Sequence, residues 1–380
     1  MVSRILEKSL AQSPKSVLLI GPRQVGKSTL LKNLKPDLAI NLSSEAEFYR
    51  FSSNPDLLSS LIRGSDPTTV LIDEVQRLPS ILNTVQAILD DWPSPPRFFL
   101  SGSSARKLRR GGANLLPGRI LTYQMGGLSS AELDYALDIQ KGMSVGFLPQ
   151  PYLETDHALA ENLMLDYATT YLVEEIQAEA LTRDIQGFSR FLRIIAPASG
   201  LILDTSKLAK KAHVSRSTLN RYLDILEDTL IARRVFSFTD TDADVIRHPR
   251  LFFFDPGVYN GLLENFTASL DRVGTLFEHA VYAQILNSAK AAHTPVNISY
   301  FRTRGGTEVD FIVELRGKIY AIEAKYGHVN AADIRGLNRF REYYPDVFKS
   351  IIVSTEPSRL VLADGTVACD INLLMKELAL

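Results

Sequence analysis

The junction between Ser16-Val17-Leu18-Leu19-Ile20 and Gly21-Pro22-Arg23-Gln24-Val25-Gly26-Lys27-Ser28 constrains the fold of this 380-residue chain more than any other stretch. The first run has the length and apolar content of a buried strand. The second fits G-x-x-x-x-G-K-[ST] at every defined position. Its glycines allow main-chain N–H groups to turn inward around an anion. Its lysine adds a cation, and its serine adds a hydroxyl able to ligate a metal. Such a turn belongs where a strand hands over to a helix, so a helix is predicted from Lys27.

The rest of the first third repeats this alternation. Leu38-Ala39-Ile40-Asn41-Leu42, Thr69-Val70-Leu71-Ile72-Asp73 and Arg97-Phe98-Phe99-Leu100-Ser101 read as further strands. Continuous apolar runs separated by helical stretches predict a parallel sheet covered on both faces, an α/β fold in three layers. The strand ending at Asp73 delivers Asp73-Glu74 at its C-terminal end, where open α/β sheets bind ligands. Together with a cradle made of Gly21, Pro22, Arg23, Gln24, Val25, Gly26, Lys27, Ser28 and Thr29, the pair predicts a site for ATP and Mg²⁺. In that reading Lys27 reaches the β and γ phosphates. Ser28 holds the metal directly and Asp73 holds it through water, while Glu74 polarises the attacking water. Ser101, or alternatively Ser103, senses the γ-phosphate. Arg119 contacts phosphate in its own subunit or in a neighbour's, the latter within a homo-oligomer.

Gly21–Ser28, Asp73-Glu74, Leu100-Ser101-Gly102-Ser103-Ser104 and Pro117-Gly118-Arg119 together resemble the prokaryotic AAA-family ATPases joined to a C-terminal domain of unknown function, number 4143. Further along, Gly146-Phe147-Leu148-Pro149 resembles that family's glycine-proline break, and Tyr167-Ala168-Thr169-Thr170-Tyr171 its helical tyrosine motif. The resemblance spans nearly the whole chain. It implies an AAA-type P-loop NTPase domain that binds ATP and Mg²⁺.

From about Thr155 to Leu230 the pattern turns helical. Leu208 and Ala209 lie on one predicted helix. After a turn with Ser215 as N-cap, a second helix aligns Leu219, Tyr222, Leu223 and Leu226 in one apolar stripe. Val235-Phe236-Ser237-Phe238 is the expected wing strand of a winged helix, the form the resemblance implies. Between positions 190 and 234 the basic residues Arg190, Arg193, Lys207, Lys210, Lys211, Arg216, Arg221, Arg233 and Arg234 outnumber the acids Asp204, Asp224, Glu227 and Asp228. That balance suits contact with a phosphate backbone, with Arg216, Ser217 and Asn220 where a recognition helix meets DNA. A packing module with a solvated basic face is the alternative.

In the last third, Glu278 lies on a predicted helix, Asp310 on a strand Val309–Val313, and Glu323 with Lys325 on one face of the next strand. This order resembles the PD-(D/E)xK nuclease superfamily, a restriction-endonuclease-like α/β domain whose carboxylates gather Mg²⁺. A structural salt bridge among Asp310, Glu323 and Lys325, or a degenerate nuclease fold kept for binding, fits the same residues. The predicted modules are residues 1–142, 143–248 and 249–380.

The formal net charge of −1 excludes a chain that attracts nucleic acid or membrane as a whole, so any such partner needs a local patch. Cys369 is the sole cysteine, which excludes an intramolecular disulfide and a cysteine metal cluster. With Glu7 where a signal peptide needs an apolar core, and no run long enough to span a bilayer, the expectation is a cytoplasmic protein without a membrane partner.

Overall fold

The computed structural model describes residues 2–103, 118–171, 185–238, 245–330, 332–356 and 359–380, with the side chains of Tyr171 and Ile185 outside the description. The chain divides into two units, Met1–Gly126 with Asp228–Leu230, and Gly127–Glu227 with Ile231–Leu380.

The first unit holds five strands, β1 (Ser16–Ile20), β2 (Leu38–Asn41), β3 (Thr69–Asp73), β4 (Arg97–Gly102) and β5 (Ile120–Gln124). They form one sheet in the order β2-β3-β4-β1-β5, and every pairing is parallel. All five residues of β1 are buried, as a strand covered on both faces requires. Helices α1 (Leu6–Ala11), α2 (Lys27–Asn33), α3 (Glu45–Ser53), α4 (Leu57–Ser65) and α5 (Ile81–Asp91) accompany the sheet. Leu58 and Ile62 of α4 and Leu82, Val85 and Ile88 of α5 pack on Leu18, Ile72, Phe98 and Leu100. Their i, i+3, i+4 spacing is what places these side chains on one helix face. Register sets the site: Leu19 pairs with Ser101, Ile20 with Gly102, and Ile72 with Leu100. The ends of β1, β3 and β4 therefore lie side by side.

The second unit opens with α6 (Ile139–Val145), α7 (Pro149–Leu153), α8 (His157–Asp166), α9 (Ile185–Ile195), α10 (Thr205–Lys211) and α11 (Arg216–Asp228). The segment Lys141–Pro151, which has no clear period in sequence, is helical on both sides of Gly146. The break is three residues wide, Gly146 to Leu148, with Gly146 at φ +77° and Pro149 opening α7. Ser215 caps α11 by accepting from Thr218 N–H at 3.0 Å, and Leu219, Tyr222, Leu223 and Leu226 are buried as their stripe predicts. The expected wing strand needs correction. Strand β6 is Ala232–Val235, three residues earlier, paired antiparallel with β7 (Arg250–Phe253). Phe236 and Phe238 instead exchange backbone hydrogen bonds with Tyr300.

After α12 (Pro256–Leu263), the long α13 (Val273–Ala291) is buried along most of its length. It is followed by β8 (Val296–Arg302), β9 (Glu308–Leu315), β10 (Lys318–Lys325), α14 (Arg335–Tyr343), β11 (Lys349–Ser354), β12 (Leu360–Val361), β13 (Val367–Cys369) and α15 (Ile371–Glu377). The sheet order is β12-β13-β11-β10-β9-β8. Strands β9 and β10 form a hairpin through Arg316 and Gly317, both at positive φ, the conformation a two-residue primed turn demands. Among the described residues no helix is long and apolar enough to cross a membrane.

Two predictions come from this packing. A Cβ on Gly146 would lie 1.7 Å from Asp255 Oδ1, the carboxylate that caps α12 by accepting from Gly257 and Val258 N–H and also takes Phe147 N–H at 2.7 Å. Gly146→Ala should therefore cost about 3 kcal/mol or more in urea unfolding, from loss of the cap plus strain. Gly274→Ala, whose Cβ meets nothing within 4 Å, should cost nothing. The second concerns His279, whose Nδ1–H donates to Thr275 O at 2.7 Å and whose Nε2 lies 2.7 Å from Ser199 Oγ. Burial, with Arg250 and Arg272 nearby, pushes its pKa down from 6.5 to about 4. Between those values the unfolded chain binds a proton that the folded chain refuses, so the contribution is complete above about 6.5 and is lost as pH falls toward 4. Going from pH 7 to pH 5 should destabilise wild type by about 2 kcal/mol more than His279→Gln.

Candidate functional site

Between β1 and α2, the loop makes its turn with Gln24 at φ +61° and Gly26 at φ +96°. A side chain on Gly21 is forbidden, because a Cβ there would sit 2.3 Å from Met125 O. The loop is tied down from outside: Gly21 N–H donates to Gly102 O at 3.3 Å, and Arg4 donates to Val25 O at 2.7 Å and to Gly126 O at 2.9 Å. Lys27 is buried, and its ammonium donates to Gly21 O at 2.9 Å and Pro22 O at 2.8 Å, which folds the side chain over the loop. Ser28 Oγ donates to Asp73 Oδ1 at 3.0 Å. Two hard oxygen donors, brought together from α2 and the end of β3, are the chemistry Mg²⁺ selects, so these residues fit the metal and a phosphate-bearing ligand.

Ser101 differs from its predicted part. It is fully buried on β4, its hydroxyl donates to Asp73 Oδ1, and the same oxygen accepts from Glu74 N–H at 3.1 Å. Its one proton is committed to the acid, so it orients the Asp73-Glu74 pair from behind. Glu74 adopts φ +61° and is held by Gln76, whose amide donates to Glu74 Oε2 and to Ser103 Oγ at 2.9 Å. Gln76 is itself buried, with Oε1 lacking a hydrogen-bond partner. Arg119 also requires correction. It immediately precedes β5, where Ile120 pairs with Ser16 at the start of β1, and it forms an ion pair with Asp90. The loop leaves β1 at the other end, roughly 16 Å away at about 3.3 Å per residue. Arg119 cannot touch a phosphate held by its own loop. Ser104 and Pro117, part of the same sequence pattern, lie outside the described residues.

Sequence reasoning missed Arg4, Gln76 and, in the second unit, Arg250. Gln76 carries a faint signal, standing two residues after Glu74 and three after the strand end at Asp73. Arg250 carries a clearer one, a lone charge heading the apolar run Leu251-Phe252-Phe253-Phe254.

In the second unit, Glu278, Asp310, Glu323 and Lys325 do converge. Asp310 Oδ2 accepts from Ala324 N–H at 2.9 Å, and Lys325 Nζ lies 3.0 Å from Glu323 Oε1, as residues on one strand face should. Burial and then the Asp310 charge push the pKa of both Glu278 and Glu323 up. A further side chain stands among them: Arg250 pairs with Glu278 and lies 3.7 Å from Asp310 and 3.9 Å from Glu308. Among the described residues no group of three or more His, Cys, Asp or Glu is arranged to hold a metal ion. The expected Mg²⁺ site does not fit these residues.

The family model of an AAA domain matches residues 13–134, that of a domain of unknown function, DUF8612, residues 137–269, and that of another, DUF4143, residues 273–374. The chain is 26% identical over 328 residues to the uncharacterized protein Rv2008c of Mycobacterium tuberculosis, covering 84% of this chain and 72% of that one. It matches the uncharacterized protein Mb2031c of Mycobacterium bovis to the same extent. Among solved structures, protein VC1899 from Vibrio cholerae aligns over 95% of each chain at 13% identity, but its TM-score of 0.23 carries no argument. An AAA domain implies nucleotide binding and, in general, ATPase activity. With that domain followed by DUF4143, the chain belongs to the AAA-family proteins that carry a C-terminal DUF4143 domain.

Proposed function

We propose that the first unit binds ATP with Mg²⁺ and hydrolyses it, and that the helical part of the second unit couples this to DNA. The observation that carries the nucleotide reading is the meeting of Ser28 with Asp73 at 3.0 Å across 45 residues of sequence. Gly21 to Thr29 wrap the phosphates with main-chain N–H groups, and Lys27 leaves its carbonyl partners for the β and γ phosphates. Ser28 and Asp73 are the residues that would hold Mg²⁺, which when bound would offset charge on the phosphate oxygens. Ser101 fixes Asp73. Glu74, kept in place by Gln76, accepts the proton of the attacking water.

We read α10, α11, β6 and β7 as the winged-helix module. Lys207, Lys210, Lys211, Arg216 and Arg221 are exposed there, which suits backbone contact. Arg234 does not join them, being paired with Asp224 and Glu227. The C-terminal sheet is read as a nuclease-like fold without nuclease chemistry, since the cluster on it does not fit the metal. That observation also favours a second reading, a nucleotide switch whose distal modules bind partners and cut nothing.

Lys27→Ala should abolish tight ATP binding in calorimetry. Glu74→Gln should keep it while lowering turnover roughly 10²-fold or more, and wild-type turnover in that variant would remove Glu74 from the mechanism. Single-stranded, duplex or branched DNA should stimulate hydrolysis. Lys211→Ala and Arg216→Ala should each reduce the salt slope of DNA binding by about one. Hydrolysis indifferent to every DNA form would favour the switch.

A further inference from the structure

We infer that Arg250 is a built-in cation that occupies the carboxylate cluster of the C-terminal domain, so that the native chain binds no divalent metal there. The inference is independent of the nucleotide site. Nothing in the order Glu278, Asp310, Glu323, Lys325 announces it, because the residue responsible comes from β7, outside that pattern.

The guanidinium is placed as a metal would be, between carboxylates from different elements. It pairs with Glu278 of α13 and stands 3.7 Å from Asp310 and 3.9 Å from Glu308 of β9. Its position is over-determined. Nε donates to Gly200 O at 2.5 Å, and the guanidinium carbon lies 5.3 Å from the Phe252 ring and 5.9 Å from the Tyr300 ring. Only 5% of the side chain is exposed. Burial disfavours its charge, but Glu278, Asp310 and Glu308 outweigh that and push its pKa up, so it stays a cation. Nη1 has no hydrogen-bond partner, which means charge rather than donor geometry holds it at Asp310 and Glu308.

Two of the remaining acids have cations of their own: Glu323 Oε1 lies 3.0 Å from Lys325 and Glu308 lies 3.2 Å from Arg302, while Glu323 Oε2 is buried without a hydrogen-bond partner. A divalent ion drawn to that free oxygen would meet the repulsion of a fixed guanidinium on one side and of Lys325 on the other. Removing a buried arginine leaves uncompensated carboxylates, which then recruit a cation from solution. Arg250 also joins Gly200 and β7 to α13 and β9, so the cluster is an ionic latch within the second unit.

The test titrates Mn²⁺ into the full-length chain without nucleotide, following free Mn²⁺ by electron paramagnetic resonance. Wild type, Asp310→Asn, Arg250→Ala and the double variant are compared, with Arg250→Gln as the substitute if Arg250→Ala does not fold. Wild type and Asp310→Asn should bind Mn²⁺ equally. The Arg250 variant should gain one site at least tenfold tighter than any in wild type, and that site should vanish in the double variant. Mn²⁺ binding in wild type that Asp310→Asn removes would overturn the inference. So would a folded Arg250 variant that gains no site.

Discussion

One carboxylate organises the first unit. Asp73 receives Ser28 from the helix after the glycine loop and Ser101 from the neighbouring strand, so a single buried acid joins three elements. That meeting is possible only because β4 stands between β1 and β3 with all strands parallel and their ends level. A slip of one residue in the β3–β4 pairing would turn Asp73 or Ser101 to the opposite face of the sheet. The loop geometry depends on the same frame, since Gly21 is pressed against Met125 O and anchored to Gly102 O.

The second unit deals with buried charge differently. Asp255 is fully buried, and burial raises its pKa to about 6 although three backbone N–H groups oppose the shift. It fills the space a side chain on Gly146 would need, which gives the glycine-proline break a mechanical reason. Arg250 sits within acids on two other elements and offsets their buried charge. In both cases a polar group is spent on joining separate elements, where a half-satisfied group would cost several kcal/mol.

Much of this was legible in the sequence because strand period and glycine turns are local. The strands Ser16–Ile20 and Thr69–Asp73 appear with their predicted bounds, as does the start of the helix at Lys27. The same-face placement of Glu323 and Lys325 follows from the period of two. What stayed hidden is tertiary. Arg119 pairs with Asp90 because β5 runs parallel to β1, a register no local pattern announces. Ser101 stands after its strand as a phosphate sensor would, but its hydroxyl is committed to Asp73, a partner 28 residues away in sequence. Arg250 reaches its acids from a strand that carries no motif. The wing strand was misplaced because Val235 to Phe238 reads as one apolar run, whereas pairing passes from β7 to Tyr300 within it.

The central claim is that Asp73 governs a metal-dependent nucleotide site, and ATP affinity measured with Mg²⁺ and with EDTA, in wild type and Asp73→Asn, tests it most directly. Mg²⁺ should tighten ATP binding by wild type at least tenfold and leave Asp73→Asn nearly unchanged. The same Mg²⁺ dependence in both proteins, or no ATP binding by wild type, would contradict it.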